Sequence, residues 1–217
     1  QYPNLLLSLI MHILLVGIQW SGKWTQARKM LEQYPWYSFF EMGQKLRNFS
    51  ELDEPLSTQV RDYLNAGKLV PLDIIEAMLN HYKNHHTGGN ILFDGIPRSL
   101  EQLDLFEKVF PDYFILFLDL EKEEAIRRLA NRRIDPTNGE SFPADFKGDF
   151  SPFTGVKLIR REDDNEEAVT RRIATFYHNT LPLVAEWAAR WKRVYRIDAG
   201  KSIDDVFEHI KVILSAY

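Results

Sequence analysis

Short apolar segments alternate along the chain with longer amphipathic ones. Five of the segments are continuous and rich in β-prone residues, which is typical of buried strands, and they span residues 12–16, 37–40, 90–93, 113–118 and 194–197. Apolar residues at helical spacing predict helices over residues 22–33, 71–86, 100–110, 121–132, 164–190 and 202–215. The alternation predicts an α/β fold, with a five-stranded parallel sheet covered by helices on both faces.

Two regions interrupt this alternation. Residues 41–70 predict only a short helical stretch, whereas residues 133–160 are rich in glycine, proline, aspartate and phenylalanine. A structureless loop of that length is unusual in a compact domain, so we expect a small β insert or a mobile lid there. Trp187 and Trp191 stand at helical spacing and are expected to be packing residues.

Composition narrows the class of protein. With 217 residues, 45% of them hydrophobic, the chain is long enough for one large domain with inserts. The 27 basic and 31 acidic residues leave a net charge of −4, which gives no general attraction to nucleic acid or to an anionic membrane. The absence of cysteine excludes disulfides and cysteine-bound zinc and suits a cytoplasmic location. Residues 1–10 are expected to be a leader or extension outside the functional domain.

A glycine-rich segment follows the first predicted strand and opens the first predicted helix. Its pattern is Gly17-x-x-x-x-Gly22-Lys23. In this context the glycines let backbone amides turn toward a phosphate, the helix N-terminus adds partial positive charge, and the lysine reaches the β and γ phosphates. The pattern therefore predicts a phosphate-binding loop, with a chance glycine turn as the alternative.

A second candidate motif, DGIPR, follows the predicted strand at residues 90–93. Its Asp94 can hold the water ligands of magnesium, and its Arg98 is suited to clamp a phosphate with two hydrogen bonds. Turn capping by Asp94 and a solvated Arg98 are the alternatives.

Four pairs of adjacent arginines form the third signal, at residues 127–128, 132–133, 160–161 and 171–172. A phosphoryl group in transfer spreads negative charge over several oxygens, and convergent guanidinium groups neutralise it. A solvated, salt-bridged surface is the alternative.

These segments, in this order, resemble the adenylate kinases with a long lid. GIQWSGKWTQA resembles the phosphate-binding loop of that family, FFEMGQKLR and AGKLVPLDII its monophosphate-binding segments, and ILFDGIPRSLEQ its LLDGFPRTxxQ stretch. RRLANRR and LIRREDDNEEAVTRRIATFYHNTLPLV are similar to the segments that enter and leave its lid. The resemblance implies one P-loop kinase domain over residues 11–217, divided into a core (11–40, 71–132, 161–217), a monophosphate-binding insert (41–70) and a lid (133–160).

The resemblance also implies roles for individual residues. Those that would bind ATP are Gly17, Ser21, Gly22, Lys23, Trp24, Thr25, Arg128, Arg132 and Lys201. Those that would bind AMP are Met42, Arg47, Lys68, Val70, Gly95, Arg98, Gln102, Arg161 and Arg172. Those that would be catalytic are Lys23, Arg98, Arg132, Arg161 and Arg172. Lid closure would use Asp163 and Asp164, and Asp94 would hold magnesium through water.

The activity that the resemblance implies is reversible phosphoryl transfer from ATP to AMP, giving two ADP. A phosphate oxygen of AMP is already deprotonated at neutral pH, so this chemistry needs alignment, charge neutralisation and exclusion of water rather than a general base. Magnesium would be the cofactor, zinc would not be bound, and the protein would be a monomer whose partners are the nucleotides, with no nucleic acid or membrane.

Four residues depart from the family pattern around the phosphates. Trp20 replaces a loop glycine, Trp24 replaces the small residue after the lysine, and Met42 and Gln44 replace a threonine and an aspartate. Since a tryptophan removes no backbone amide, we expect weakened rather than absent donor binding. A weak or inactive nucleotide-binding homologue and a kinase of another nucleoside monophosphate stay open as alternatives.

The lid also departs from the pattern. Asp135 and Ser151 stand where the family has histidine and aspartate, whereas Thr154 and Gly155 match it. Our hypothesis is that apolar residues hold the lid together, namely Phe142, Phe146, Phe150 and Phe153.

Overall fold

A computed structural model describes residues 11–129, 132–142, 146–160 and 166–217. Its strands are β1 His12–Gly17, β2 Tyr37–Glu41, β3 Asn90–Asp94, β4 Tyr113–Asp119, β5 Arg133–Ile134, β6 Ser141–Phe142 and β7 Val194–Asp198. Its α-helices are α1 Lys23–Gln33, α2 Met42–Ser50, α3 Ser57–Asn65, α4 Leu72–His85, α5 Leu100–Val109, α6 Lys122–Leu129, α7 Glu166–Thr175, α8 Leu183–Ala189 and α9 Ile203–Leu214. Every helix in these ranges is too short or too polar to cross a lipid bilayer. The predicted leader, residues 1–10, lies outside the described residues.

Five strands form one parallel sheet in the order β2-β3-β1-β4-β7. The chain runs from β1 to one side of the sheet for β2 and β3, and then to the other side for β4 and β7. Loops at the carboxyl ends of the strands diverge at such a reversal and leave a crevice. In register, Glu41 at the end of β2 lies beside Asp94 at the end of β3. The predicted α/β class, the parallel sheet and its strands are confirmed.

The core lies on both faces of this sheet because its central strands are apolar at almost every position. The β1 segment HILLVG is buried except for its last residue, and the β4 segment YFILFLD is buried except for Asp119. Phe93 contacts the rings of Phe40, Phe106 and Phe110. A rigid apolar sheet therefore holds the carboxyl edge in place.

The predicted helix over 164–190 is interrupted. Within the described part, α7 passes into a π-helical turn at Phe176–Thr180 before α8 begins. Pro182 has no N–H to donate and its ring crowds the preceding turn, while Leu181 N donates to Phe176 O at 2.7 Å, which is the wider π spacing. The first two residues of the predicted helix, 164 and 165, lie outside the described residues.

Only one of the two tryptophans predicted to pack does so. Trp187 on α8 is fully buried, whereas Trp191 is 94% exposed. The helix ends at Ala189, and Trp191 adopts a positive φ of 59°, so the helical spacing on which the prediction rested does not extend to it. The prediction for Trp191 was wrong.

Both regions that interrupt the alternation contain regular structure. Residues 41–70 carry two helices, α2 and α3, rather than one short stretch. Within 133–160, β5 pairs with β6, and isolated bridges join Ile134 to Ile159 and Phe150 to Lys157. The described part of this region is therefore a small β insert, which was one of the two structures expected.

Candidate active site

A cleft of about 890 Å³ opens at the carboxyl edge of the sheet. Its lining includes each described residue for which the sequence predicted a nucleotide-binding, catalytic or metal-holding role. The predicted residues Arg161, Asp163 and Asp164 lie outside the described residues. Several lining residues with polar side chains were not predicted from the sequence: Gln19, Glu41, Glu124 and Ser141. Residues from both inserts and from the sheet edge are thus brought together at one place.

The glycine-rich loop joins β1 to α1 at the floor of the cleft. Gly22 has a φ of 88°, a left-handed conformation that costs glycine little, and α1 begins at Lys23. A Cβ on Gly17 would lie 2.6 Å from Ser21 Oγ, so only glycine permits the curl. The Lys23 ammonium folds across the loop and donates to Gly17 O at 2.9 Å and Ile18 O at 3.1 Å. The helix N-terminus and one lysine therefore face the same point of the cleft.

Opposite charges meet beside this lysine. Burial lowers the pKa of Lys23, and the Asp94 carboxylate raises it in return. Burial likewise raises the pKa of Asp94, while Lys23 lowers it. Within the described residues, Asp94 Oδ1 is buried and accepts no hydrogen bond, which leaves one oxygen of this carboxylate available to a ligand.

Arg98 is held from three sides at the far wall of the cleft. Its Nε donates to Gly95 O at 3.0 Å, and its backbone amide donates to Gln102 Oε1 at 2.8 Å. Its carbonyl accepts from Thr180 Oγ1 at 3.0 Å. The π-helical turn that ends at Thr180 therefore helps to place Arg98, and the same contacts fix the Gln102 side chain.

Arg47 is already engaged by neighbouring acceptors. Its Nη2 lies 3.3 Å from Glu41 Oε2 and 3.1 Å from Gln44 Oε1. Glu41 was not predicted because the family resemblance assigns roles in the motif FFEMGQKLR to Met42 and Arg47 alone. Its position at the end of a predicted strand, in the same motif as Arg47, was the signal that could have identified it.

The wall on the α6 side carries two further arginines. Arg128 Nε donates to Glu124 at 2.9 Å, and its Nη2 donates to Ala199 O at 2.9 Å, which ties α6 to the loop that contains Lys201. Hydrogen bonds from Arg127 and then Arg128 lower the pKa of Glu124 to about 2. Glu124 therefore stays ionised at neutral pH and orients both guanidinium groups.

The two unusual tryptophans lie on the lid side of the loop. The Arg132 guanidinium stacks on Trp20 with 5.3 Å to the ring centroid, and Trp20 packs against the core with a φ of 68°. Arg28 lies 5.9 Å from the Trp24 ring and 4.6 Å from the ring of Phe153 in the lid. Both indoles line the cleft, so they narrow it without removing an amide of the loop.

Replacement of Trp24 with glycine is expected to raise the affinity for MgATP several-fold, because the indole occupies space beside the loop. The variant should also lose about 0.5–1 kcal/mol of stability, the cost of glycine within a helix. Isothermal titration calorimetry and thermal unfolding measure the two effects, and Trp36→Gly, at an exposed tryptophan outside the cleft, is the control. An unchanged or lower affinity would mean that Trp24 supports the site.

Hydrogen bonds around Asp135 stabilise the 133–160 insert, the proposed lid. This carboxylate is fully buried, and it accepts from Thr154 Oγ1 and, at 2.8 Å, from Thr137 N. Burial alone would raise its pKa, but hydrogen bonds from Thr137, Thr154 and Ser151 lower it to about 2. Ser151 Oγ accepts from two backbone amides, those of Phe153 and Thr154, each at 3.3 Å.

The hypothesis of an apolar lid is wrong for two of its four residues. Phe142 is buried and contacts Phe146 with 4.8 Å between ring centroids. Phe150 and Phe153 are 58% and 59% exposed. Phe150 and Phe153 therefore do not form an apolar core of this insert.

Asp135→Asn is expected to destabilise the lid in a pH-dependent way. The pKa of Asp135 is lowered from 3.8 to about 2, so its ionised form stabilises the fold above pH 3.8, and this stabilisation is lost as pH falls toward 2. The unfolding temperature of the variant should be lower than that of the parent protein at pH 6, and the gap should shrink below pH 4. If the difference in unfolding temperature did not depend on pH, ionised Asp135 would not be the stabilising group. Asp149→Asn, at an exposed carboxylate of the same insert, is the control.

The arrangement is that of a P-loop kinase that acts on nucleoside monophosphates: a helix N-terminus and a half-buried lysine share one cleft with arginines from separate elements. The family model described as adenylate kinase matches residues 15–192. The chain belongs to the adenylate kinase family, as the resemblance indicated.

Individual relatives match over nearly the whole chain. The adenylate kinase of Alkaliphilus oremlandii (strain OhILAs) is 31% identical over 216 residues, which cover 95% of this chain and 99% of that protein. The adenylate kinase of Mycoplasma capricolum is 29% identical over 212 residues, covering 93% and 98% respectively. UMP-CMP kinase 1 of Oryza sativa subsp. japonica is 30% identical over 208 residues, covering 94% of this chain and 73% of that protein.

Proposed function

We propose that the protein transfers the γ-phosphoryl group of MgATP to AMP, reversibly, giving two ADP. The observation that carries the proposal is the convergence of Lys23, Arg98 and Arg132 on one cleft, with a P-loop on one side and Gln102 on the other. The match to the adenylate kinase family supports it.

The donor nucleotide is proposed to lie between the P-loop and α6. Backbone amides of the loop and of the first turn of α1 would bind its phosphates, together with Lys23 and Arg132. The adenine would lie beside Arg128 and Lys201, which the contact between Arg128 and Ala199 O brings together. The remaining proposed donor ligands are Gly17, Ser21, Gly22, Trp24 and Thr25.

The acceptor is proposed to lie between the 41–70 insert and α5. Arg47 and Arg98 would bind its phosphate, because guanidinium groups match phosphate oxygens with paired hydrogen bonds. Gln102, fixed by the Arg98 amide, would bind the adenine edge. The remaining proposed acceptor ligands are Met42, Lys68, Val70, Gly95, Arg161 and Arg172.

The mechanism that this geometry supports is alignment followed by charge neutralisation. The acceptor phosphate already carries an ionised oxygen, so no side chain needs to remove a proton. Lys23, Arg98, Arg132, Arg161 and Arg172 would surround the transferring group and stabilise its negative charge. Closure of the proposed lid, residues 133–160, would exclude water, with Asp163 and Asp164 as its latch.

Magnesium is proposed as the cofactor, bound mainly through the phosphates of ATP. It would neutralise charge on the β- and γ-phosphate oxygens. The residues of this chain fit it in part: Asp94 Oδ1 is buried with no hydrogen bond from the described residues and suits a water ligand of the ion, whereas Trp24 supplies no hydroxyl. Asp94 is therefore the group proposed to hold it.

We further propose a monomeric, cytoplasmic enzyme with small nucleotides as its partners. The division into a core of 11–40, 71–132 and 161–217, with the two inserts as separate moving parts, is part of the same proposal.

A second candidate is a kinase of another nucleoside monophosphate. The rice relative named UMP-CMP kinase favours it, as does Met42, which is buried in the acceptor wall where a hydroxyl residue was expected. A coupled assay of ADP formation, with ATP as donor and AMP, GMP, CMP or UMP as acceptor, separates the candidates. Preference for AMP supports the proposal, preference for a pyrimidine acceptor supports the second candidate, and no turnover with any acceptor would contradict both.

A further inference from the structure

The Glu41 carboxylate lies in the part of the cleft where an acceptor phosphate is proposed to bind. Glu41 is the last residue of β2 and stands beside Asp94 in the sheet register. Its Oε2 is 3.3 Å from Arg47 Nη2, and the two side chains are only 20% and 28% exposed. A partly desolvated ion pair therefore stands at the position where two arginines would otherwise attract an anion.

The backbone of α2 is packed tightly against this pair. A Cβ on Gly43 would lie 2.8 Å from Glu41 Oε1 and 3.2 Å from Arg47 Nη1. The glycine therefore leaves the space that the pair occupies. Gln44 Oε1 accepts from Arg47 Nη2 at 3.1 Å as well, so oxygens of two side chains already accept hydrogen bonds from this nitrogen.

The negative charge of Glu41 also reaches the centre of the cleft. Burial raises the pKa of Asp94, and repulsion by Glu41 raises it further. A monophosphate that enters this part of the cleft meets the same carboxylate. Since like charges at short range repel each other strongly in a partly buried site, Glu41 disfavours the ligand that Arg47 and Arg98 attract.

We propose that Glu41 sets the affinity for the acceptor, because the ion pair with Arg47 must open before the acceptor phosphate can bind. The inference rests on the proposed function, in which Arg47 binds that phosphate. While Arg47 Nη2 donates to the Glu41 carboxylate, the same hydrogens are not available for the paired hydrogen bonds that suit a phosphate. Glu41 thus weakens binding of the monophosphate and acts on acceptor affinity rather than on catalysis.

The test compares AMP binding by the whole chain before and after Glu41→Gln and Glu41→Ser. Calorimetric titration with AMP, without ATP or metal, is expected to show tighter binding to both variants by roughly two- to fivefold, the effect of removing one partly screened charge pair. The KM for AMP should fall to match, with little change in kcat or in the KM for ATP. Glu54→Gln makes the same change at an exposed residue of the insert and should leave AMP binding unaltered.

The outcomes separate this inference from the activity itself. AMP binding that is unchanged or weaker in both variants overturns the inference, even if the parent protein is an active kinase. A raised magnesium requirement without tighter AMP binding would also overturn it, since Glu41 would then serve the metal. If the parent protein neither binds AMP nor turns over while Glu41→Ser binds it, the inference holds and the proposed activity fails. If no variant binds AMP, both fail.

Discussion

Lys23→Met should lower kcat by roughly 10²- to 10³-fold, the loss expected when one group that stabilises transition-state charge is removed from an enclosed site. Methionine keeps most of the length of lysine but has no ammonium to follow the transferring phosphoryl group. The variant also leaves Asp94 buried without its positive neighbour, so the pKa of Asp94 should rise further. Steady-state kinetics with MgATP and AMP measure the effect on kcat.

Lys29→Met is the matched control for this prediction. Lys29 lies on the same helix but outside the cleft, where its ammonium pairs with Asp204 at 3.0 Å. It should stay within about twofold of the parent kcat, since exposed ion pairs contribute little. Circular dichroism and thermal unfolding establish that both variants are folded. An unchanged kcat in Lys23→Met would show that this lysine does not stabilise the transferring phosphoryl group.

Strands and the phosphate-binding loop could be predicted from the sequence because their signals are local. Continuous apolar runs such as YFILFLD are typical of strands buried on both faces, and the observed β4 covers that run. The loop needs a strand before it and a helix after it, and both were visible in the hydrophobic pattern. The family resemblance implied nucleotide-binding, catalytic and metal-holding residues, and those that the structure describes line one cleft. This cleft lies where the carboxyl ends of the parallel strands share an edge.

Features that depend on contacts distant in sequence could not be predicted. The placement of Arg98, for example, needs Thr180, which lies 82 residues further along the chain. The π-helical turn at Phe176–Thr180 leaves the amphipathic pattern almost unchanged, so the pattern predicted one helix. The exposed Phe150 and Phe153 show that apolar residues in an insert need not form its core when a buried carboxylate collects the hydrogen bonds.

Asp94 is the second residue whose substitution should have a large effect on activity. Asp94→Asn is expected to lower kcat by about 10- to 100-fold and to raise the magnesium concentration needed for half-maximal activity, the range found when an outer-shell group of a metal site is lost. The side chain keeps its volume, but it loses the charge that attracts the water ligands of the ion. Activity titrated with magnesium, and manganese binding to the enzyme–nucleotide complex followed by electron paramagnetic resonance, measure the two effects.

Asp112→Asn makes the same substitution at an exposed residue beside the opposite end of β4 and should behave like the parent protein. The magnesium titration distinguishes two ways in which Asp94 could act. If kcat falls while the magnesium requirement and manganese binding stay unchanged, Asp94 acts by holding the Lys23 ammonium in its buried position, and the metal role is wrong. If both change together, the Asp94 carboxylate holds the hydrated ion. The site would then retain a place for magnesium although Trp24 supplies no hydroxyl.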